Sequence, residues 1–209
     1  SSFSGKSVIK PKETVIAWRV TCLLAIITFL AIYALHPTPI NALAGHDDAW
    51  FVARAESIVN GDWLGHYNEL TLIKGPTYPV FLAFNHLLGT PLWLLQATLY
   101  LVACIAFTAS LKSVISSHSL RSALFVILLL QPALFPIRLI RDNIYPALLL
   151  LSLSGFLLTA DNANKSLVHL KIFLSGIALS FFWHTREENV WIVPCAVLLL
   201  FWPSFIIMK

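Results

Sequence analysis

Charged side chains are scarce: Asp, Glu, Lys and Arg together make up 11% of the 209 residues. Hydrophobic residues make up 58%, and the mean hydropathy is +0.79. A water-soluble domain needs far more polar surface than this, so that class is excluded. Cysteine is sparse as well. Cys22, Cys104 and Cys195 all lie inside apolar runs, which argues against a disulfide framework or a thiolate metal cage. No internal repeat, low-complexity linker or composition shift marks a second domain, so residues 1–209 read as one unit. A cleavable signal peptide is not expected. The first apolar run is too long for an h-region, and Leu35-His36-Pro37 at its end lacks the small-x-small cleavage pattern. The net charge of +4 comes largely from residues that flank the apolar runs, which speaks for membrane topology and against a nucleic-acid partner.

What the sequence has is long apolar stretches: Val15 to Leu35, Pro91 to Leu111, Ala123 to Ile137, Tyr145 to Thr159 and Val190 to Ile207, with a shorter one from Ile172 to Trp183. Several reach the roughly 20 residues that cross a hydrocarbon core of about 30 Å. The expected fold is an all-α polytopic membrane protein. It would have about six transmembrane helices, an interfacial half-helix and a long first extracytoplasmic loop containing an amphipathic helix. Residues 76–111 would run about 54 Å as one straight helix, and Gly89-Thr90-Pro91 interrupts them. The break predicts a short helix over Thr77 to Leu88 in the outer interface and a span from Pro91, whose ring suits a first helical turn.

Lys6, Lys10, Lys12 and Arg19 precede or enter the first run, whereas residues 36–75 carry Asp47, Asp48, Glu56, Asp62 and Glu69 against Arg54 and Lys74. The positive-inside rule therefore makes the N-terminus cytoplasmic and this loop extracytoplasmic. Alternating the spans from there puts Lys112, His118, Arg121 and the 161–171 loop inside. His46-Asp47-Asp48, Arg138 to Asn143 and His184 to Glu188 all fall on the outer face, where they can line one site.

In the outer loop, Phe51, Val52, Ala55, Ile58 and Val59 form an apolar helical stripe, with Asp47, Arg54 and Ser57 pointing elsewhere. Asp47 or Asp48 would cap this helix and Asn60-Gly61 would end it. Asp47 and Asp48 fit two roles, a cap with a solvated neighbour or a general base whose pKa is set by burial and nearby cations. Arg138, Arg141 and Arg186 offer planar forks for phosphate oxygens, although Arg138 and Arg141 also suit snorkelling or pairing with Asp142. Lys74 fits either a phosphate contact or an interface anchor. Some of Thr185-Arg186-Glu187-Glu188 are expected to face a polar cavity, and His184 and Glu187 join Lys74 and the arginines as candidate phosphate- or substrate-binding residues. His46, Asp47 and Asp48 are the candidate ligands for a divalent cation such as Mg or Mn, with His184 or Glu187 completing the set. Trp50, Trp63, Tyr67, Tyr78, Trp93 and Tyr145 fit an aromatic belt.

The order His46-Asp47-Asp48-Ala49-Trp50-Phe51, then Gly61-Asp62-Trp63, then Lys74-Gly75-Pro76-Thr77-Tyr78-Pro79 resembles the first external loop of GT-C superfamily membrane glycosyltransferases. The nearest branches are the protein mannosyltransferase-like and aminoarabinose transferase-like enzymes. The later Thr185-Arg186-Glu187-Glu188 extends the resemblance, which covers what in those enzymes is the N-terminal transmembrane part. It implies transfer of a sugar from a polyprenyl-phosphate donor to a glycan, lipid or protein acceptor, at the outer face of a bacterial inner (plasma) membrane. Asp47 would be the base, with Asp48 beside it orienting the acceptor or holding a cation. Two other classes share the composition. A transporter or flippase would place ionisable residues at mid-membrane, where these spans have almost none, and a non-catalytic scaffold subunit would keep only the shape.

Overall fold

The computed structural model describes residues 11–36, 48–63, 65–67, 71, 74–131, 138–160, 168–186, 188–194 and 197–198. Among them all regular structure is helical and no strand occurs. The α-helices are α1 (Pro11–Leu35), α2 (Asp48–Val59), α3 (Thr77–Leu88), α4 (Leu92–Ser110), α5 (His118–Leu129), α6 (Tyr145–Ala160) and α7 (Val168–Trp183). Short 3-10 turns follow α4, precede α6 at Arg141–Asn143 and follow α7 at Asn189–Trp191. Two segments, Val15–Leu35 and Leu92–Ser113, are long and apolar enough to cross a membrane, while His118–Leu129, Tyr145–Thr159 and His169–Trp183 are apolar but shorter.

Local chemistry sets the boundaries. At the α3–α4 corner Gly89 takes a left-handed conformation with φ of 62°, which costs a glycine nothing. Asn85 Nδ2 donates to Thr90 O at 3.1 Å and Thr90 Oγ1 donates back to Asn85 Oδ1 at 3.1 Å, so the break predicted there is pinned from both sides. α5 departs from the expected run. It begins at His118, five residues before Ala123, because the Ser117 hydroxyl caps it by accepting from Leu120 N at 3.3 Å. It ends at Leu129, shortly before Pro132, whose ring disfavours helix in the preceding residue. Residues 132–137, read above as part of this span, lie outside the described residues, as does most of the last run beyond Pro194. α7 likewise starts at Val168 rather than Ile172.

α6 joins the molecule's two cores. One face packs with α1, α4 and α5, burying Phe29, Tyr33, Ala97, Tyr100, Cys104 and Leu129 with Ala147 and Leu150. The other meets α2, α3 and the end of α7, burying Phe51, Tyr78, Leu82, Leu148, Phe156 and Phe182. Ser152 and Ser154 of α6 are buried and return their hydroxyls to Leu148 O and Leu150 O, so no polar atom of theirs is stranded. Phe182 is wholly buried, its ring centroid 5.1 Å from Tyr145 and 6.0 Å from Trp191. Phe182→Ala is expected to destabilise the chain by about 3–5 kcal/mol, read as a lowered midpoint in denaturant titration of the purified protein. A neighbouring exposed residue such as Phe181→Ala should shift it far less.

Much apolar surface remains uncovered. Leu23 and Ile27 of α1, Val102 and Ile105 of α4, Ile127 of α5 and Phe173 of α7 are exposed, forming an apolar exterior of a kind that soluble monomers avoid.

Candidate functional site

α2 places the first acidic residue of the site. Asp48 opens the helix and is wholly buried, with its Oδ1 3.8 Å from Nε of Arg138. Arg138 is held in turn from its backbone, where Asn143 Nδ2 donates to its carbonyl oxygen at 2.8 Å. Of the cap and the solvated neighbour read for the pair, Asp48 is therefore not the solvated one. It lies under the helix because Trp50 and Phe51, two and three residues further on, are drawn into the core.

The same face holds a second correction. Arg54, expected to point away, is buried; it donates through Nη1 to His66 O at 2.6 Å and sits 5.3 Å from the Trp50 ring centroid. Lys74 is buried as well, its ammonium 5.7 Å from Trp50 and 5.6 Å from Phe51. Two cations thus face one indole, an attraction that strengthens as water is excluded. Trp50 and Tyr78 belong to this core, whereas Trp63 and Tyr67 are exposed, so the aromatic-belt expectation does not fit Trp50 or Tyr78.

The second and third clusters close on each other. Arg186 Nη2 pairs with Asp142 Oδ1 at 3.1 Å and lies 5.4 Å from the Tyr145 ring centroid. Arg141 Nη1 donates to Thr185 O at 3.4 Å. Asp142 thus pairs with Arg186, while Arg138 takes Asp48. Thr185 and Asn189 are buried and tie the turn down, Thr185 Oγ1 donating to Phe181 O at 2.7 Å and Asn189 Nδ2 donating to Phe182 O.

The Lys74 segment joins the third cluster through backbone. Thr77 Oγ1 donates to Phe181 O at 3.0 Å, and Gly75 lies so close to His184 that a Cβ there would overlap its carbonyl oxygen. His184 contributes this backbone contact, and its side chain is exposed. Tyr78 forms the floor between the clusters. Burial raises its hydroxyl well above the usual tyrosine range, and the nearby Asp48 and Asp142 carboxylates push the same way against the amides of Asn143 and Gln96. It is therefore a neutral hydroxyl at any physiological pH.

The described part of all three predicted clusters thus meets around Tyr78, Asn143 and Thr185. His46, Asp47 and Glu187 lie outside the described residues. Of the metal candidates Asp48 and His184 are described, and among the described residues no group of three His, Cys, Asp or Glu side chains is placed to hold a metal. Tyr78, Gln96 and Asn189 were not singled out from sequence as site residues, and Asn143 and Thr185 entered only as members of their clusters. Gln96, an amide within an otherwise apolar run, carried the clearest signal. Beside the cluster, a cleft of about 300 Å³ opens between α2 and α3, lined by Val52, Ala55, Val59, Leu82 and Leu139, with Glu56 among its polar residues. No family model matches the chain, and no curated protein or solved structure matches it.

Proposed function

We propose that the chain is a polytopic helical membrane protein that transfers a sugar from a polyprenyl-phosphate carrier to an acceptor hydroxyl at its extracytoplasmic face. The uncovered apolar side chains of α1, α4, α5 and α7 support the membrane assignment, since lipid is the solvent in which that surface costs nothing. α6 and α7, of 16 residues each, are about 24 Å long, a mismatch that bilayers accommodate.

The observation that carries the functional reading is the meeting of Asp48, Arg138, Arg141 and Arg186, drawn from three separated segments, beside an apolar cleft. A lipid-linked phosphate has those two halves: an anion that suits guanidinium forks and an isoprenoid chain that suits a greasy groove. In this scheme Asp47 takes the proton of the acceptor hydroxyl, whose oxygen attacks the anomeric carbon and displaces the polyprenyl phosphate. Arg141, Arg186 and Lys74 stabilise the charge on the leaving phosphate. Asp48 holds Arg138 in place. The resemblance of the 46–51, 61–63 and 74–79 motifs to GT-C enzymes supports the same assignment.

The test is release of polyprenyl phosphate from a polyprenyl-phosphate-linked sugar by the purified full chain in lipid vesicles, with membrane acceptors added. Arg141→Gln is expected to slow release by about 10²-fold, while Lys171→Gln, at a half-buried cation near the start of α7 on the opposite side, leaves it unchanged. A second reading has its own support. The pairing of Arg138 with Asp48 and of Arg186 with Asp142 is also what a structural subunit would use to fix its loops. A chain that releases no polyprenyl phosphate with any acceptor, yet folds with both pairs intact, is the scaffold.

A further inference from the structure

At the other end of the helices, α1, α4 and α5 enclose a second cleft of about 220 Å³, lined among others by Cys22, Ile105, Thr108, His118, Arg121 and Phe125. We propose that this cleft binds the headgroup of an anionic phospholipid of the cytoplasmic leaflet, with Arg121 as its phosphate-binding residue. The inference rests on the membrane reading above but not on sugar transfer.

Arg121 carries the argument. Its Nε is buried and has no hydrogen-bond partner among the described residues, and a desolvated guanidinium N–H without an acceptor is costly. The stretches that line the cleft carry no carboxylate: between Glu69 and Asp142 the sequence contains no Asp or Glu, and none occurs from Thr14 to Leu35. α4, α5, the corner between them and the α1 wall of the cleft therefore supply no counter-charge of their own. Around Arg121 the other polar groups add donors. His118 is exposed at the start of α5, with Nδ1 3.2 Å from Ser122 Oγ, and Lys112 is exposed on the preceding turn. An anion is what this arrangement lacks.

The remaining wall decides which anion. Cys22, Ile105 and Phe125 are apolar and sit beside Arg121 in the same cleft, which suits the glycerol and first methylenes of a lipid and does not suit a hydrated ion. Orientation selects the leaflet. With the N-terminus cytoplasmic, the C-terminal end of α4 and the N-terminal end of α5 lie on the inner side, where anionic lipids meet basic pockets between helices. The site is thus separate from the outer cluster of Asp48, Arg138 and Arg186.

The purified full chain in detergent, incubated with phosphatidylglycerol or phosphatidylcholine and weighed by native mass spectrometry, tests this directly. The wild-type chain is expected to retain phosphatidylglycerol in preference to phosphatidylcholine. Arg121→Gln should lower that retention about five- to tenfold, Lys171→Gln should leave it unchanged, and Arg121→Lys should restore most of it. Excess inorganic phosphate should not displace the lipid. Should Arg121→Gln fail to fold by circular dichroism, a photoactivatable phosphatidylglycerol answers on the wild-type chain by cross-linking within residues 105–125 or at Cys22 of the facing wall. Equal retention of both lipids, equal losses in the Arg121 and Lys171 variants, displacement by phosphate, or cross-linking elsewhere each overturns the proposal. A chain that retains phosphatidylglycerol through Arg121 but transfers no sugar removes the enzyme reading and leaves this one standing.

Discussion

Asp47→Asn is expected to lower sugar transfer by about 10²–10⁴-fold, the contribution of a positioned general base, with little change in the donor concentration needed for half-maximal rate. Its neighbour leaves it this role. Asp48 is wholly buried against Arg138, so its carboxylate is shielded from an acceptor and already faces a cation. Asp47 is one residue earlier, a Cα step of about 3.8 Å, and is the remaining carboxylate of the pair. Asparagine keeps its size and removes its basicity. Asp48→Asn has a different signature. It leaves the Arg138 guanidinium facing a neutral amide, so it should cost stability, by about 1–3 kcal/mol, before it costs chemistry. Initial rates in vesicles, normalised to folded protein, separate the two. Transfer at the wild-type rate by Asp47→Asn would remove the base assignment.

Gly75→Ala is expected to have the largest structural effect of a methyl group added at any described glycine. A Cβ at this position collides with the carbonyl oxygen of His184, and a backbone atom cannot swing aside as a side-chain tip can. Relief requires the Lys74–Thr77 segment to move off the turn that follows α7, which strains the Thr77 to Phe181 hydrogen bond and draws Lys74 away from Trp50 and Phe51. The cost is about 3 kcal/mol, the upper part of the range for overpacking. Because Arg141 and Arg186 are anchored on that turn and on the loop facing it, transfer should fall together with the unfolding midpoint. Gly61→Ala serves as the contrast. There the backbone φ of 83° disfavours alanine, but no atom lies within reach of the new methyl, so only a conformational penalty of about 1–2 kcal/mol remains and the site should keep its rate. Equal effects from the two substitutions would show that the 75–184 contact does not hold the site together.

Helix positions were largely legible where one physical signal dominated. Thr77 to Leu88 and the start of α4 follow from Gly89-Thr90-Pro91, and α2 ends where Asn60-Gly61 predicts. Boundaries failed where a polar residue extended a helix past its apolar run, as the Ser117 cap does for α5. The buried charges were harder to see. Arg54 lies on the stripe Phe51, Arg54, Ala55, Ile58, at the i, i+3, i+4, i+7 spacing of a core-facing helix side, and its charge alone argued for the surface. Trp50 and the His66 carbonyl answer that charge, and neither contact can be read from local sequence. The common placement of Asp48, Arg138 and Arg186 was expected from alternating spans, but the partner of each was not. Pair choice depends on how α6 and α7 seat the 138–145 and 184–191 segments against α2, and that is a tertiary outcome. His184 illustrates the same gap. Its side chain drew attention as a ligand, and its backbone makes the contact that matters.

The central claim is that these helices cross a membrane and gather the polar segments at one outer face. Single cysteines introduced at Asn60, Glu188 and Ser116, in a chain whose Cys22, Cys104 and Cys195 are replaced by serine, test it most directly with a membrane-impermeant maleimide on intact cells. The account predicts labelling of Asn60→Cys and Glu188→Cys from outside, and of Ser116→Cys only after the membrane is opened. Labelling of all three from the same side, or opposite sidedness for the positions at 60 and 188, would contradict it.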